Sequence, residues 1–597
     1  MSTATAPSPQ APRSGADASP PRSGAGVRRS GARRATSLFA HGEPLVWLTA
    51  GSLVLALAMI AGLLALVVAQ GAASFWPQPV VRVELDGGRV LMGEVTASED
   101  YRPEPSVLDA LSPEARVRAR EALDTSAGSA RRRMLRIGNY ELTNEHFAWF
   151  SDFQQVPGSE SLPEWALVIE RRTWGRFYGL PKAWRVDGKV ETTDPAEIHE
   201  RLERERELAE ERHERILVLE RDEIGELNAL QERARLAVRK AELEHGARSP
   251  QRAAAEAELA LVIASSEARF GELQQQIREL RDVNRSRELV LVTADGIEQA
   301  LEIGNIVRAY PANRIGSVEA LGVYLSRWGE FLADEPRESN SEGGVLPAIF
   351  GTVVMTLLMS IAVVPFGVLA ALYLREYARS GPVISIVRIA VNNLAGVPSI
   401  VFGVFGLGFF CYIVGAGIDD LLFAERLPNP TFGKGGLLWS SLTLALLTLP
   451  VVIVATEEAL AAVPGSMREG SYACGATKWQ TIQRIVLPRA MPGIMTGMIL
   501  AIARGAGEVA PLMLVGAVKL APELPIDGNF PFLHPERSFM HLGFHIYDLG
   551  FQSQNSEAAK PMVYTTTLLL IGLIVALNLA AIFVRARLRR RFLAGAI

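Results

Sequence analysis

The hydrophobic residues of this chain fall into six long runs, and a polar region at residues 75–340 separates the first run from the other five. A helix of about 20 apolar residues crosses the hydrocarbon core of a bilayer. Only helices and closed barrels satisfy their backbone polar groups in lipid. The pattern therefore predicts an all-α membrane protein with six transmembrane helices, at residues 45–68, 345–374, 388–415, 437–456, 491–518 and 561–584.

The chain before the first run, residues 1–44, is rich in Ser, Ala, Pro, Gly and Arg without an apolar period, which predicts disorder. The first run predicts a membrane helix at 45–70. A cleaved signal peptide is the alternative, because small residues follow at Gly71, Ala72 and Ala73, but the run is long for one. Arginines between residues 28 and 34 favour a cytoplasmic N-terminus.

The polar region at 75–340 has strand-like alternation at both ends and a helical period between them. Residues 195–287 are rich in Glu, Arg and Leu, with apolar positions three or four apart and a break at Gly246 and Pro250. This pattern predicts an antiparallel coiled-coil hairpin inserted in one β-rich domain. The charges of the hairpin indicate a solvated face or a docking arm for a partner. Strands are predicted at 81–95, 139–150, 165–178, 182–190, 288–293 and 297–307.

Six crossings return the chain to its starting side, so the N- and C-termini are predicted to be cytoplasmic and the polar region periplasmic. The basic stretches at 375–379 and 585–591 then lie inside, as the positive-inside rule requires. The polar loop at 457–490, between the fourth and fifth runs, also faces the cytoplasm. The permease part is predicted at 343–597.

Composition narrows the class of protein. The 597 residues carry a formal net charge of −4, which argues against a nucleic-acid binder. A mean hydropathy of +0.16 fits membrane spans diluted by a polar region. Cys411 lies in an apolar run and Cys474 in the polar loop, so no disulfide framework is predicted.

The loop at 457–490 contains a motif, residues 468–488, that we call the coupling segment. A Glu-Gly-Ser triplet at 469–471 is followed after three residues by Gly475, and after nine more by Ile-Val-Leu-Pro at 485–488. This spacing resembles the cytoplasmic signature of ABC-importer membrane subunits, in which Glu-Ala-Ala, Gly and Ile-x-Leu-Pro are spaced in the same way. Gly470 and Ser471 replace the two alanines. The matching residues are Glu469, Gly475, Ile485, Leu487 and Pro488.

The resemblance implies that the coupling segment transmits force from a separate ATPase. A short helix over 469–474 would lie across a cleft of the ATPase, and Gly475 would let the backbone turn tightly. Pro488 would end the next helix at the membrane. The chain has no G-x-x-x-x-G-K-[ST] motif, so ATP is expected on a partner subunit and no cofactor is expected here.

Other stretches resemble PstA, the permease family of phosphate importers, over residues 343–597. The resemblance implies a MetI-like six-helix importer fold with a periplasmic insertion like the N-terminal extension of a long-form branch of the family. The implied partners are a second phosphate permease subunit, an ATPase dimer, a periplasmic phosphate-binding protein, phosphate and the lipid of the inner membrane. The stretches are 351–352, 364–367, 392–403 and 503–512.

Arg504 and Glu508 are candidate residues of the substrate pathway. They are four apart in the fifth run, which predicts one shared helix face. A charge at mid-membrane costs at least about 2.5–3.5 kcal/mol, so such residues pair or line a water-filled path. Arg504 can present a planar fork to an oxyanion, and Glu508 can neutralise it or accept a hydrogen bond from a protonated phosphate. The alternative is a pair that pins two helices together.

The candidate pathway also includes Gly396, Pro398 and Ser399. Gly and Pro break a helix, and such a break is tolerated in a membrane where protein or water satisfies the freed backbone groups, as in the lining of a pathway. A packing kink is the alternative. His541 and His545 have i, i+4 spacing, but without a carboxylate or cysteine cluster no metal site is predicted.

The predicted function is a permease subunit that forms half of the pathway of an ATP-driven phosphate importer, without an enzymatic site of its own. Two alternatives stay open from the residues alone. One is a permease for sulfate, molybdate or another oxyanion. The other is a membrane-anchored periplasmic scaffold or sensor.

Overall fold

The computed structural model describes residues 43–379, 381–528, 532–553 and 556–594, and residues 65–597 form one compact unit. The disorder predicted for 1–44 lies almost wholly outside the described residues. Six described helices are long and apolar enough to cross a membrane, so the predicted fold class, a six-span helical protein with a β-rich insertion, is confirmed. These spans are Val46–Ala73, Leu346–Tyr377, Ser399–Leu422, Leu437–Ala461, Lys478–Ala506 and Ala559–Arg587.

The chain continues from α1 (Glu43–Ala73) into residues 80–343, which we call the insert. Its first sheet is an antiparallel meander with the strands in chain order. Three short helices connect these strands: α2 (Pro105–Asp109), α3 (Pro113–Thr125) and α4 (Tyr140–Thr143). The strands are β1 (Val80–Glu84), β2 (Val90–Tyr101), β3 (Ala130–Arg136) and β4 (Phe147–Ser151).

The strand predicted at 139–150 is wrong in its first half. Gly138, Asn139 and Asn144 have φ angles of 54°, 53° and 54°, so the backbone turns into α4 before β4 begins. Asn tolerates this left-handed region better than most residues because its short polar side chain bonds locally. Aromatic content alone does not reveal such turns.

The second sheet of the insert has six strands in the order β10-β5-β6-β8-β9, with β7 paired to the end of β6. The insert therefore contains two large sheets, each with an apolar cluster of its own and one cluster shared between them. Alternation of side chains predicts strands but not which strands pair. The strands are β5 (Leu167–Arg171), β6 (Arg176–Val186), β7 (Lys189–Thr192), β8 (Arg287–Val292), β9 (Glu298–Glu302) and β10 (Ile306–Pro311).

Two antiparallel helical arms project from the second sheet between β7 and β8. The first arm is α5 (Pro195–Val218), a π-helical turn and α6 (Ile224–His245), and the second is α7 (Pro250–Arg285). Ile198 and Leu202 bury the base of α5 in the core of the sheet. Further out, Ile216, Leu219, Leu273 and Ile277 pack between the arms, and α6 contacts residues 424–426, just after the third span.

The insert returns to the spans through α8 (Ser317–Ala333) and a small hairpin of β11 (Pro336–Arg337) and β12 (Glu342–Gly343). The spans then pack around α9, α13 and α16, where Gly493 and Gly497 approach Ala459 and Ala455 closely. Small residues at such contacts let helices pack backbone to backbone. The helices are α9 (Leu346–Leu372), α10 (Pro382–Leu394), α11 (Ser399–Phe405), α12 (Ala416–Leu422), α13 (Leu437–Ala461), α14 (Gly465–Ala473), α15 (Lys478–Thr481), α16 (Leu487–Ala506), α17 (Ala510–Val515), α18 (Leu542–Tyr547) and α19 (Ser556–Ala594).

The predicted extents of the third and fifth spans are wrong. The third span begins at Ser399, because a separate short apolar helix, α10, precedes it. The fifth span runs from Lys478 to Ala506, so it starts earlier and ends earlier than the run at 491–518. The apolar runs extend across both chain breaks, so hydropathy does not show where each helix stops.

Candidate coupling segment and substrate pathway

The coupling segment forms a helix–turn–helix at the end of the spans opposite the insert. Glu469 lies on α14 with an exposed side chain, one turn before the helix ends. The predicted loop at 457–490 is mostly helical, since α13 extends to Ala461 and the fifth span begins at Lys478.

Gly475 makes the turn between α14 and α15. Its φ is +81°, its N–H donates to the carbonyl of Tyr472 at 2.9 Å, and the N–H of Ala476 donates to the carbonyl of Ser471 at 3.2 Å. This pair of bonds is the Schellman ending of a helix, which favours glycine because the left-handed region penalises a Cβ atom. The tight turn expected at Gly475 is therefore present.

The next helix is fixed by its own caps and by α14. The hydroxyl of Thr477 accepts from the N–H of Gln480, and the side chain of Gln480 accepts from the N–H of Thr477 at 2.9 Å. Such a capping box satisfies two otherwise free donors. The hydroxyls of Ser471 and Thr481 lie 2.8 Å apart and join the two helices. Ser471, which replaces an alanine of the signature, thus has a structural partner.

The other signature residues lie on the buried side of the segment. Ile485 is half-buried in a π-helical turn, Ile482–Val486, and Leu487 begins α16. Ile482 and Val486 pack with residues at the ends of α9 and α13. The segment is therefore in direct packing contact with two spans.

The expectation that Pro488 ends a helix is wrong. Pro488 lies in the first turn of α16, and the helix continues to Ala506. A proline normally strikes the carbonyl four residues earlier and removes one hydrogen bond. Here the wider π-helical turn directly before it displaces those carbonyls, and the N–H of Leu487 donates to the carbonyl of Ile482.

A polar anchor that the sequence did not reveal holds the segment to the second span. The Arg468 guanidinium lies 2.9 Å from the carboxylate of Glu376 and also donates to the carbonyls of Leu460 and Val463. Lys478 donates to the backbone carbonyl of Glu376. Glu376 is 92 residues from Arg468, so no local spacing links them. The signal available in the sequence was a charged residue, Glu376, next to the apolar run of the second span.

The opposite side of the segment is open and carries aromatic residues. Tyr472 is 42% exposed and Trp479 is 54% exposed, and Glu469, three residues before Tyr472, is exposed as well. Exposed aromatic residues on a polar surface are typical of protein interfaces. The segment therefore has one face packed on the spans and one face available for a partner.

The candidate pathway residues lie at two breaks between helices. Gly396 is exposed between α10 and α11, Pro398 is the N-cap of α11, and Ser399 is its first residue. Arg504 lies in the last turn of α16. Glu508 follows the end of that helix, before α17 begins at Ala510.

The premise that Arg504 and Glu508 share one face of a continuous helix is wrong, because α16 stops at Ala506. The two side chains nevertheless pair, with 3.5 Å between Arg504 Nε and Glu508 Oε1. Arg504 is 36% exposed and Glu508 is 20% exposed. Both charges thus lie at an open break, where other polar groups can reach them.

The two breaks belong to one region, because α11 packs against α17. A Cβ atom at Gly403 would lie 2.7 Å from the Cα atom of Pro511, so this contact is backbone to backbone. Val397 also packs against the cluster that contains Leu512. The structure therefore brings together the helices that follow the two breaks, although the sequence separates them by more than a hundred residues.

His541 and His545 are buried, and the Nδ1 atom of His541 accepts from the N–H of Gly543 at 3.1 Å. His541 is the N-cap of the short helix α18, and His545 lies within that helix. Among the described residues, no group of three or more His, Cys, Asp or Glu could hold a metal ion.

Six apolar spans with a helix–turn–helix between the fourth and fifth define the membrane subunit of a binding-protein-dependent transporter. Residues 363–593 match the family described as the inner membrane component of binding-protein-dependent transport systems. The match lies beyond the insert.

Relatives narrow the family further. The phosphate transport system permease protein PstA of Mycobacterium leprae (strain TN) is 43% identical over 193 residues, which are 32% of this chain and 57% of the relative. PstA 1 of Mycobacterium tuberculosis (strain CDC 1551 / Oshkosh) is 36% identical over 250 residues, which are 42% of this chain and 73% of the relative. This chain belongs to the PstA family of phosphate transport system permease proteins.

Two of the solved structures that this chain matches are ABC transporters. An inward-facing MetNI methionine ABC transporter matches with a TM-score of 0.31 and 19% identity, over 41% of this chain and 95% of the other. A bacterial ABC transporter that imports alginate matches with a TM-score of 0.31 and 16% identity, over 46% of this chain and 84% of the other.

Proposed function

We propose that this chain forms half of the translocation pathway of an ATP-driven phosphate importer. The observation that carries the proposal is the PstA relative with 36% identity over 73% of its length. The similarity to PstA proteins favours phosphate over sulfate or molybdate, and a transporter over a scaffold or sensor.

The coupling segment receives the motion of a separate ATPase through its open face. Glu469, Tyr472 and Trp479 on that face contact the ATPase, and Gly475 sets the angle between α14 and α15. Closure of the ATPase dimer on ATP pushes α14. The pair of Arg468 with Glu376 then passes the push to the second span, and the buried contacts of Ile482 and Val486 pass it to the fourth.

The substrate pathway uses the two breaks. Arg504 offers its guanidinium to phosphate, since a planar fork matches two oxygens of an oxyanion. Glu508 holds Arg504 when the pathway is empty and accepts a hydrogen bond from a protonated phosphate, which sulfate cannot donate. Gly396, Pro398 and Ser399 supply the unwound backbone at which the neighbouring helices pivot.

The proposed assembly contains a second permease subunit, two copies of the ATPase and a periplasmic phosphate-binding protein. ATP is bound by the ATPase, and this chain needs no cofactor. The coupling segment and both termini face the cytoplasm of the bacterial cell, and the insert lies in the periplasm, because the basic residues after the last span then remain inside.

Uptake of radiolabelled phosphate in cells that carry Arg504→Gln tests this proposal. A hydrogen bond to a charged group contributes about 1.5–3 kcal/mol, so uptake at low phosphate falls about ten-fold or more. Excess sulfate leaves wild-type uptake unchanged.

Arg489→Gln is the matched control, because Arg489 is exposed at the opposite end of the same helix. Its uptake stays at the wild-type level. Normal uptake by Arg504→Gln, with unchanged assembly on the ATPase, would show that the pair is structural. Competition by sulfate would overturn the choice of phosphate.

A further inference from the structure

A cavity of about 480 Å³ lies where the insert meets the first and last spans. Its wall includes Ser74 and Trp76 after α1, Lys560 and Tyr564 on α19, and residues of both sheets. A water molecule takes up about 30 Å³ in the liquid, so the cavity has room for a small ion with several waters. None of the candidate pathway residues lines it.

The lining of this cavity is charged and has a positive excess. Lys560 and Glu557 pair with each other at 2.5 Å. The other charged residues are five arginines against four glutamates, which leaves one positive charge. The glutamates are Glu94, Glu170, Glu330 and Glu342, and the arginines are Arg136, Arg176, Arg308, Arg327 and Arg337.

Two of the arginines each make several hydrogen bonds within and around the wall of the cavity. Arg327 donates to Glu170, to the hydroxyl of Tyr310 and to the carbonyl of Phe75. Arg308 donates to Glu170, Ser326 and Glu330.

The other three arginines are paired as well, Arg136 with Glu342, Arg176 with Glu94 and Glu170, and Arg337 with Glu330, but each keeps a donor that no carboxylate takes. The Nε atoms of Arg176 and Arg337 are buried and have no hydrogen-bond partner among the described residues. Arg136 donates to Glu342 at 2.5 Å through one of its amino groups. A buried donor without an acceptor is unfavourable, and the side chains of Arg136, Arg176 and Arg337 belong to the wall of the cavity.

We propose that this cavity binds a phosphate-class oxyanion through Arg136, Arg176 and Arg337, with Lys560 at its rim. A tetrahedral oxyanion supplies several acceptor oxygens and the negative charge that balances the excess. Guanidinium forks match that geometry.

An oxyanion of this class can come to the cavity from two sources. Free inorganic phosphate reaches the cavity from the aqueous side, and an anionic lipid headgroup reaches it from the bilayer, since the ends of α1 and α19 form part of the wall. An anion held there bridges the insert and the last span. The site stands apart from the predicted pathway, so it does not depend on what Arg504 contacts.

The experiment uses the full chain in nanodiscs of zwitterionic lipid and carries Arg504→Gln to remove binding in the pathway. Equilibrium binding of radiolabelled phosphate and the midpoint of thermal unfolding are measured together. We expect phosphate to bind and to raise the midpoint. The double variant Arg136→Gln/Arg337→Gln lowers the affinity about ten-fold or more.

Arg132→Gln is the matched control. Arg132 lies on the same strand as Arg136, pairs with Glu99 and does not line the cavity. It binds phosphate like the parent. Lys560→Gln is a second probe that avoids misfolding, since the side chain is exposed at the rim, and it lowers the affinity several-fold.

A second arm replaces the zwitterionic lipid by phosphatidylglycerol without phosphate. If the midpoint rises there but not with phosphate, and the rise is lost in both cavity variants, the headgroup is the source. If neither phosphate nor phosphatidylglycerol changes the midpoint, or if the cavity variants bind like Arg132→Gln, the proposal is wrong.

Discussion

Gly475 shows how a single residue decides the geometry of the coupling segment. Its φ of +81° lies in the left-handed region, and a Cβ atom there would meet no neighbouring atom within 4 Å. The demand for glycine is therefore conformational rather than a matter of space. A left-handed residue costs about 1–2 kcal/mol when it carries a side chain, and a β-branched one is disfavoured further.

Gly475→Val should abolish phosphate uptake while the chain stays in the membrane. The valine moves φ out of the left-handed region, so the two hydrogen bonds of the Schellman ending are lost and α14 changes its angle to α15. Uptake and the amount of chain in purified membranes are the measurements.

Gly470→Ala is the control for this prediction. Gly470 lies inside α14 with no atom within 4 Å of an added Cβ, so alanine fits and favours the helix by about 1 kcal/mol. Its uptake should equal that of the wild type. Normal uptake by the valine variant would show that the turn does not transmit force.

At the scale of secondary-structure elements, the helical hairpin of the insert cannot be removed as a whole without damage to the second sheet. Its base at Ile198 and Leu202 belongs to the core of the second sheet, so a deletion of 195–287 removes part of that core. The outer part has Leu230, Leu243 and Leu261 exposed. It is therefore the outer part that can be tested alone.

We expect that replacing residues 231–265 by a short Gly-Ser linker leaves phosphate uptake close to the wild-type level. Packed antiparallel helices lie about 8–10 Å apart, so a linker of about four residues joins the cut ends. The core of the spans contains no hairpin residue among the described residues, so the pathway keeps its packing. Uptake by intact cells is the measurement.

A shortened hairpin whose chain assembles with the ATPase but fails to transport would contradict this expectation. It would assign the hairpin a part in delivery from the binding protein. The contact of α6 with residues 424–426 would then be the place to look for the cause.

At the scale of the whole molecule, one buried ionic cluster joins the two sheets of the insert to α8. Burial alone would raise the pKa of Glu170, but Arg327, Arg308 and Arg176 outweigh it and hold this pKa well below its usual range. Burial alone would also raise the pKa of Glu94, but Arg176 and Arg327 outweigh it, so this pKa is lowered as well. Both carboxyls are therefore ionised in the folded protein.

Acid should weaken this cluster. A carboxyl whose pKa is lower in the folded state than in the unfolded state stabilises the fold at pH values above its unfolded pKa, which is near the ordinary value of 4.5. This stabilisation is lost as the pH falls towards the folded pKa. The thermal midpoint of the full chain in nanodiscs should fall as the pH drops below about 5, where the carboxyls of the unfolded chain take up protons.

Glu170→Gln should lower the midpoint at neutral pH and flatten the fall in acid. Removing one partner from a buried ionic group costs about 3–5 kcal/mol, because the remaining charges stay unpaired. Arg89, paired with Glu145 at the surface, offers the control Arg89→Gln, which should change little. A midpoint independent of pH in the wild type would contradict the role of the cluster.

The sequence by itself determined the six spans, the turn at Gly475 and the break of the hairpin after His245, because each depends on local composition and spacing. Hydropathy over about 20 residues reports burial in lipid. Glycine and proline report backbone geometry at single positions. These signals need no knowledge of distant residues.

Only the tertiary structure decided what distant residues do together. The anchor between Arg468 and Glu376, the contact of Gly403 with Pro511 and the ionic cluster around Glu170 all join residues far apart in the chain. Such packing also decided where the third and fifth spans end and that the helix continues past Pro488. A helix continues or stops according to what satisfies its backbone groups.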